Sequence, residues 1–302
     1  MPTRSTTSRP LWMERPTIPV SVTKAITLFV VAAVMLFPFL YVLAVSVSSQ
    51  GDLNGSTVSL IPKHPTLEAY RQILRNGAVI RSIEVSIGIT VVGTLVSMIM
   101  TTTLAYGLTR TRDVPGSRLV LLLALGTLLF SAGIIPNYLL VRYLGLLNSY
   151  ASLIVPGMIS AFNLVVVRQF FMNIPEEMLD SVRVDGAGTI RIFWYMVLPL
   201  SKAVLAVIAL FYGVGLWSDF FNALLYLNDP GKWPVQLVLR LFVLQGQSLG
   251  SADPTQQSGQ PLPPPQTVQM AVVIIATLPI IIVYPFLQKY FTQGVLSGAI
   301  KG

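Results

Sequence analysis

The amino-acid sequence predicts an all-α, polytopic membrane protein with six transmembrane helices. Of its 302 residues, 53% are hydrophobic and 11% are charged, and the mean hydropathy of +0.71 is too high for a soluble globular domain. The apolar residues form six long runs, and a polar, charged passage at residues 174–202 separates the fourth run from the fifth. We expect a cytosolic tail over residues 1–25, a membrane domain over residues 26–290 and a second cytosolic tail over residues 291–302.

Each of the six apolar runs has the length that a bilayer requires. The first run has no charged residue over about 23 positions, which at about 1.5 Å per residue is enough to cross about 30 Å of hydrocarbon. It is too long for the apolar region of a signal peptide, and no cleavage site follows it, so we expect it to remain as a span. The predicted spans cover residues 26–48, 82–108, 119–140, 150–172, 203–227 and 268–287.

The distribution of Lys and Arg predicts the orientation of these spans. With both termini in the cytosol, twelve of these residues lie inside and seven lie in longer outer loops, which agrees with the positive-inside rule. The tightest cluster, Arg110, Arg112 and Arg118, follows span two and belongs inside. The net charge of +8 is scattered between apolar runs rather than gathered in a patch with aromatic residues, so we do not expect a nucleic-acid partner.

Two features outside the spans have structural interpretations. The polar residues 49–81 predict an outer loop with a short amphipathic helix near residues 66–75. Arg168 lies near the inner end of span four, where its long side chain can reach the interface, so we expect it to have a structural role rather than a role in substrate binding.

The passage between spans four and five predicts two short helices joined by a glycine turn. Pro175 suits the first turn of a helix, and two glutamates follow it, where a helix N-terminus favours negative charge. Gly186 ends this helix because glycine readily adopts the left-handed conformation of a C-cap. A second amphipathic helix is predicted over residues 188–197, and Pro199 ends it.

The first of these short helices is predicted to have an apolar and a polar side. Ile174, Met178 and Val182 recur every four residues, whereas Asp180 and Arg183 point elsewhere. An amphipathic helix-turn-helix at the cytosolic mouth of a membrane domain is typical of a surface that docks a partner.

The spacing within this passage resembles the EAA loop of bacterial ABC importer permeases. That loop reads EAA, three residues, Gly, nine residues, then I-x-L-P. Here Asp180-Ser181-Val182 is followed after three residues by Gly186 and after nine more by Met196-Val197-Leu198-Pro199. Four positions depart from the pattern: Asp replaces Glu, Ser and Val replace the two alanines, and Met replaces Ile.

The stretches around the motif are similar to the carbohydrate-importing, maltose-type branch of these permeases. Ile174-Pro175 with Glu177, Val184-Asp185-Gly186-Ala187, and Phe193-Trp194 carry this similarity, and so do residues 217–221 and the C-terminal residues 298–302. The last of these resembles the tail that the second permease chain sends toward the ATPase. Residues 234–240 and 284–291 are similar to the sub-branch for oligosaccharides and polysaccharide fragments, including acidic ones such as aldouronates and alginate.

The resemblance implies a permease subunit that forms half of a translocation pathway for a carbohydrate, in particular an oligosaccharide, in a bacterial cytoplasmic membrane. Its implied partners are a second homologous permease chain, a cytosolic ABC ATPase dimer and an extracytoplasmic solute-binding protein. The sequence has no G-x-x-x-x-G-K-[ST] motif, and its only Gly-Lys pair, Gly231-Lys232, precedes Trp233. We therefore expect no cofactor on this chain and ATP-Mg on the partner ATPase.

The resemblance also assigns residues to coupling with the ATPase. They lie in the EAA-like loop and at the C-terminus, and they are Glu177, Asp180, Arg183, Asp185, Gly186, Leu198, Pro199, Gly298, Lys301 and Gly302. In the family, an acid at the position of Asp180 meets a basic residue of the ATPase.

Span five carries a polar stripe. Tyr212, Gly215, Asp219, Asn222 and Tyr226 recur at intervals of three and four, which places them on one face of a helix. A carboxylate facing lipid costs about 2.5–3.5 kcal/mol, so we expect the acid of this stripe to face the protein or a water-filled cavity.

Two interpretations of the stripe stay open. Asp219 is either a hydrogen-bonded link between spans or part of a pathway whose hydroxyls, amides and aromatic rings suit a sugar. Ser218 lies beside the stripe and is counted with the path, whereas Trp217 points away from it and is expected to pack.

Other classes of function fit the sequence less well. A stand-alone secondary transporter with Asp219 as its coupling site is the main alternative, but six spans without an internal repeat and an elaborate cytosolic loop speak against it. A membrane-embedded enzyme would need a catalytic set, yet the spans offer no His or Cys and only the carboxylates of Asp219 and Glu84. One histidine and no cysteine in the whole chain give no expectation of a metal site.

The loop between spans five and six is rich in Gln, Ser, Gly and Pro over residues 245–266, so it cannot form a packed core. It is either a disordered insertion or a lip that contacts the external binding protein.

Overall fold

The structure is a computed structural model. It describes residues 18–49, 62, 64–75, 77–110, 114–245 and 265–299, with side chains for all of these except 242–245, 284 and 286–299. All regular elements in these ranges are helical. The helices are α1 (Ile18–Ser46), α2 (Glu68–Arg75), α3 (Gly77–Thr109), α4 (Ser117–Leu129), α5 (Ile134–Tyr143), α6 (Ala151–Ile154), α7 (Ala161–Met172), α8 (Glu176–Val184), α9 (Thr189–Leu200), α10 (Lys202–Ser218), α11 (Phe220–Tyr226), α12 (Val235–Gln245) and α13 (Pro265–Ala299).

Helix α3 is the centre of the packing. It contacts α10 and α7 most extensively, and α13 packs against both α1 and α10. The α3–α10 contact is close: a Cβ atom on Gly93 would lie 2.7 Å from Leu216 Cδ1, so a larger residue at that position would force the Leu216 side chain to shift.

Three helices among the described residues are long and apolar enough to cross a membrane, namely α1, α3 and the part of α13 before residue 284. Helices α9 and α10, bent by 83° at Ser201, pass the same test as one interrupted span. Helices α4 and α7 are shorter apolar helices. The total of six spans stays a prediction, because the other predicted spans are built from pieces.

Spans three, four and five were each predicted as one transmembrane helix, and the structure divides each of them into shorter helices. In span three, α4 ends at Leu129 and α5 begins at Ile134. Gly133 lies between them at φ +83° and ψ 179°, a conformation that is open to glycine but not to residues with a Cβ. Apolar composition, which predicted the span, carries no information about such a break.

Span four breaks between α6 and α7, over residues 155–160. Pro156 and Gly157 lie in this break, where proline cannot donate a helical hydrogen bond and glycine has a weak helix propensity. Helix α7 then begins after Ser160, whose Oγ accepts a hydrogen bond from the backbone N–H of Asn163 at 3.4 Å.

Span five breaks at Asp219, which has the non-helical angles φ −79° and ψ 79°. Its carboxylate caps the N-terminus of α11 by accepting a hydrogen bond from the backbone N–H of Asn222 at 3.1 Å. An aspartate is a strong N-cap residue, so it favours a new helix start within an apolar run.

The helix expected near residues 66–75 is confirmed as α2. Its Ala69 and Ile73 are fully buried, and the hydroxyl of Tyr70 shares a hydrogen bond of 2.8 Å with Ser46 Oγ at the end of α1. Helix α1 begins at Ile18 rather than at residue 26, since Pro19 is tolerated in a first turn.

Candidate translocation cavity and coupling loop

The passage over residues 174–202, which we call the coupling loop, forms a helix, a glycine turn and a second helix, as predicted. Helix α8 follows Pro175, and Gly186 has φ +81°. The N–H of Gly186 donates to the carbonyl of Arg183 at 3.0 Å, and the N–H of Ala187 donates to the carbonyl of Val182 at 3.2 Å. These two bonds make up a Schellman C-cap, which requires the left-handed residue that glycine supplies.

Helix α8 rests on the membrane domain through a narrow apolar contact. Ile174 is buried, and Leu179 and Val182 pack against the core cluster that contains Phe193. Met178 was predicted on this apolar face, but it is exposed. The apolar contact of α8 is made by Leu179 and Val182, which are three residues apart, and Met178 lies at the edge of the face that they form.

The charged side of α8 is open to a partner. Arg183 Nη1 and Asp180 Oδ1 form an ion pair at 2.6 Å, with both side chains about half exposed or more. Glu177 and Asp185 are exposed as well. A surface ion pair of this kind contributes little to stability, so these charges are free to be used in docking.

Helix α9 includes a π-helical turn over Phe193–Val197 and ends at Leu200, not at Pro199 as predicted. Proline is normally excluded from a helix interior because its ring meets the carbonyl four residues earlier, and the wider π turn just before it eases this clash. Leu198 is half-buried against the core cluster, whereas Pro199 is exposed.

A cavity of about 570 Å³ lies between span five and the interrupted span four. Five residues of the predicted stripe line it, namely Tyr212, Gly215, Asp219, Asn222 and Tyr226. They come together although the helix is broken at Asp219. Ser218 does not line the cavity and is exposed.

The opposite wall of the cavity comes from residues that the sequence analysis did not assign to the site. They belong to spans three and four, and the polar ones among them are Asn137, Ser152, Ser160 and Asn163. A signal was available: the Pro156-Gly157 pair predicts an interruption of the apolar run, and Asn163 is a polar residue within it.

Tyr212 is the hydrogen-bonded link between spans. Its hydroxyl shares a bond of 2.7 Å with Thr101 Oγ1 of α3 and accepts a bond of 2.9 Å from the backbone N–H of Ser160. The residue is buried and lines the cavity, and its hydroxyl joins α3, α10 and the start of α7.

Asp219 is bound only locally by the hydrogen bonds that the structure describes. Its Oδ1 caps α11, and its Oδ2 accepts from Asn222 Nδ2 at 2.8 Å. The link between spans that was considered for Asp219 is therefore made by Tyr212. Asp219 keeps acceptor capacity that faces the cavity, because a carboxylate has about four lone-pair sites.

The lining of the cavity combines amides, hydroxyls and aromatic rings. Among the described residues that line it, Asp219 is the one charged group, and there is no Lys, Arg or His. The ring of Tyr226 is buried and lies 6.3 Å from that of Tyr138. Such a surface suits a ligand with many hydroxyl groups and apolar ring faces. Within the described ranges, no group of three His, Cys, Asp or Glu residues could hold a metal ion.

Trp217 and Arg168 have structural roles, as predicted. Trp217 is buried and its Nε1–H donates to the carbonyl of Ala276 at 3.0 Å, which joins α10 to α13. Arg168 Nε donates to the carbonyl of Leu108 at 3.0 Å, at the C-terminal end of α3.

The C-terminal assignments are only partly covered. Gly298 lies in the last turn of α13, whose backbone is helical to Ala299 although the span was predicted to end at residue 287. Lys301 and Gly302 lie outside the described residues, and so does most of the loop 245–266.

Known proteins are similar to this chain in sequence and in fold. Protein LplC of Bacillus subtilis (strain 168) is 46% identical over 272 residues, which are 90% of this chain and 91% of LplC. The polygalacturonan/rhamnogalacturonan transport system permease protein YtcP of the same organism is 42% identical over 91% of this chain and 96% of its own length.

A solved structure agrees with these relatives. A chain of a bacterial ABC transporter involved in the import of the acidic polysaccharide alginate superimposes with a TM-score of 0.85, at 28% identity, over 92% of this chain and 100% of its own.

A family match covers nearly the whole chain, over residues 17–297. It describes a transport system that works with a binding protein, which distinguishes it from the stand-alone secondary transporter considered above. The chain belongs to the family of binding-protein-dependent transport system inner membrane components.

Proposed function

We propose that this chain is the permease subunit of an ATP-driven carbohydrate importer and that the cavity beside Asp219 is its half of the translocation pathway. The observation that carries the proposal is the lining of that cavity. Hydroxyl and amide groups from three interrupted spans converge with the rings of Tyr212, Tyr226 and Phe162 on one volume of about 570 Å³.

The interruptions of the spans also support a role in transport. Irregular backbone is tolerated at membrane depth where it is buried in protein or lines a water-filled cavity. The break at residues 155–160 and the break at Asp219 both border this cavity. The named relatives that transport polygalacturonan, rhamnogalacturonan or alginate support a saccharide as the cargo.

The proposed partners follow from the family and from the coupling loop. An external binding protein delivers the saccharide, a second homologous permease chain completes the pathway, and a cytosolic ATPase dimer that binds ATP-Mg docks on α8 and α9. The exposed acids and Arg183 of α8 provide the charged surface for this docking. The orientation is N-in, C-in, and the membrane is the bacterial cytoplasmic membrane.

The test is to obstruct the cavity without disturbing its walls. A Cβ atom on Gly215 meets no atom within 4 Å, so the added side chain of Gly215→Leu projects into the cavity. Oligosaccharide uptake into proteoliposomes that contain the co-purified complex should fall to near background.

The matched control is Gly88→Leu, because Gly88 is an exposed glycine of α3 that also has open space around its Cβ position. It should transport normally. Wild-type uptake by assembled Gly215→Leu complexes would place the pathway elsewhere, and a chain that co-purifies with no ATPase would overturn the importer as a whole.

A further inference from the structure

The cytosolic end of α3 is joined to the coupling loop by a compact set of contacts that the proposed function does not yet use. Arg110 Nη2 donates to the hydroxyl of Tyr106 at 2.7 Å, and Arg110 Nη1 donates to Thr189 Oγ1 at 3.1 Å. The Tyr106 hydroxyl in turn donates to the carbonyl of Thr189 at 3.4 Å. Thr189 is the first residue of α9, so two hydrogen bonds connect the start of the second loop helix to the end of a membrane span, and the bond between Arg110 and Tyr106 joins their two donors.

The side chain of Tyr106 is fixed by packing as well as by hydrogen bonds. Only 9% of its surface is exposed, and its ring packs 4.9 Å from the ring of Phe193 and 6.5 Å, edge to face, from that of Phe171. Phe193 begins the π turn of α9, and Phe171 belongs to α7. The Arg110 guanidinium also lies 4.9 Å from the Tyr106 ring centre, which adds a cation–π contact.

The neighbouring arginine fixes the same end of α3 from another side. Arg168 of α7 donates to the carbonyl of Leu108 and so satisfies one of the last free carbonyls of α3. Helix α3 therefore cannot move against α7 or α9 at this end without breaking hydrogen bonds. Further along α3, Thr101 holds the hydroxyl of Tyr212 in the cavity wall.

We propose that Arg110, Tyr106 and Thr189 form a clamp that makes the coupling loop and α3 move as one body. Arg110 is then a positioning residue that transmits ATPase-driven movement of the loop to the helix that supports the cavity. This inference rests on the proposed function, because it assumes that an ATPase moves the loop.

The simpler explanation of Arg110 is that it only supplies positive charge on the cytosolic side. The two explanations differ in what lysine can do there. Lysine keeps the charge, but its single ammonium group cannot reproduce the planar fork that reaches Tyr106 and Thr189 together. If Arg110 only supplies charge, Arg110→Lys should leave the coupling of ATP hydrolysis to transport unchanged. If Arg110 is part of a clamp, the same substitution should weaken this coupling.

The experiment measures how much ATP the complex hydrolyses for each saccharide imported. In Arg110→Lys and Thr189→Val, hydrolysis stimulated by the loaded binding protein should continue, while the ATP used per saccharide rises by about fivefold or more, at the low end of known coupling between distant sites. The KM for ATP should stay unchanged. Thr189→Ser, which keeps the hydroxyl, should restore the wild-type ratio, and Arg118→Lys, a change at an exposed arginine of α4, should never alter it.

A spectroscopic readout separates the clamp from the identity of the cargo. The chain has no cysteine, so the substitutions Gly88→Cys on α3 and Ser181→Cys on α8 allow spin labels to be attached to this chain at these two positions alone. In the complex trapped with ATP, the distance distribution between the labels should be narrow in the wild-type background and broader in Arg110→Lys and Tyr106→Phe.

Equal distributions and equal ATP-to-saccharide ratios in all these variants would overturn the clamp. Failure of the proposed function has a different signature, since the cavity variant Gly215→Leu would then transport normally or no ATPase would bind. Should Arg110→Lys not assemble, Thr189→Val decides the question, because it removes one hydroxyl and keeps the shape of the side chain.

Discussion

At the scale of single residues, the polar groups in this membrane domain have separate tasks. The hydroxyl of Tyr212 joins three helices, and the carboxylate of Asp219 caps α11 while facing the cavity. Asn222 orients that carboxylate through its side-chain amide. The polar stripe, which looks uniform in the sequence, therefore contains two kinds of residue. Tyr212 is a structural link, whereas Asp219 and Asn222 form a pair with free hydrogen-bonding capacity.

The charge of Asp219 can be removed without loss of its cap. In Asp219→Asn the side-chain oxygen still accepts the bond from the N–H of Asn222, so the complex should assemble. Uptake of a neutral oligosaccharide should fall by about tenfold, since a hydrogen bond to a charged group contributes about 1.5–3 kcal/mol. A uronate-bearing oligosaccharide should lose less, because its carboxylate no longer meets a like charge.

Competition uptake assays with the two oligosaccharides measure this change in preference. The control is Asp229→Asn, which alters an exposed aspartate that caps a turn in the loop after span five by accepting from the N–H of Gly231 at 2.9 Å. Unchanged preference and uptake in Asp219→Asn would mean that this carboxylate is a cap and nothing more.

At the scale of elements, the coupling loop depends on the angle between α8 and α9, which the turn at Gly186 sets. The two Schellman hydrogen bonds run from Gly186 and Ala187 back to the end of α8. They fix this end of α8, whose narrow apolar face contacts the core cluster. The geometry of the turn therefore decides how the charged face of α8 is presented to a partner.

Gly186→Val should disturb the turn through backbone strain alone. A Cβ atom at this position meets nothing within 4 Å, but the φ of +81° costs a β-branched residue about 1–2 kcal/mol or more. Membrane insertion should survive, while ATP hydrolysis stimulated by the loaded binding protein should be lost in the purified complex.

Gly188→Val is the matched control for this substitution. Gly188 also has open space at its Cβ position, but its φ of −69° and ψ of 163° are accessible to every residue. Full stimulation in assembled Gly186→Val complexes would remove the turn from the coupling mechanism.

At the scale of the whole molecule, the C-terminal part of α3 connects two functions. One end of the chain of contacts is the clamp at Arg110, and the other is the bond from Thr101 to the cavity wall. Large apolar side chains remain exposed on the outside of the described helices, for example Leu122 and Leu123 of α4. Lipid and, in our proposal, the second permease chain cover them.

The resemblance to the second permease chain of the maltose type predicts that the C-terminus also reaches the ATPase. Deletion of residues 298–302 should leave co-purification of the complex intact and reduce the hydrolysis that is coupled to the binding protein. Hydrolysis assays on purified full-length and shortened complexes check this expectation. Normal coupling in the shortened complex would show that the tail is dispensable.

Local sequence patterns were sufficient for the membrane class, for α2, and for the helix, glycine turn and helix of residues 174–202. In these cases the structure depends on properties of neighbouring residues: the length of an apolar run, a proline at a helix start, or the free φ of Gly186. Five residues of the cavity were also predicted, because Tyr212 to Tyr226 lie close together in the chain.

Only the tertiary structure decided which residues lie opposite these five residues of span five. Ser160 meets Tyr212 across 52 positions, Thr101 meets it across 111, and Arg110 meets Thr189 across 79. Such contacts depend on how interrupted helices pack, and the breaks at Gly133, at residues 155–160 and at Asp219 leave the hydropathy of each run unchanged. Hydropathy reports the transfer of side chains into lipid, whereas a cavity and a clamp arise where packed helices leave or close the space between them.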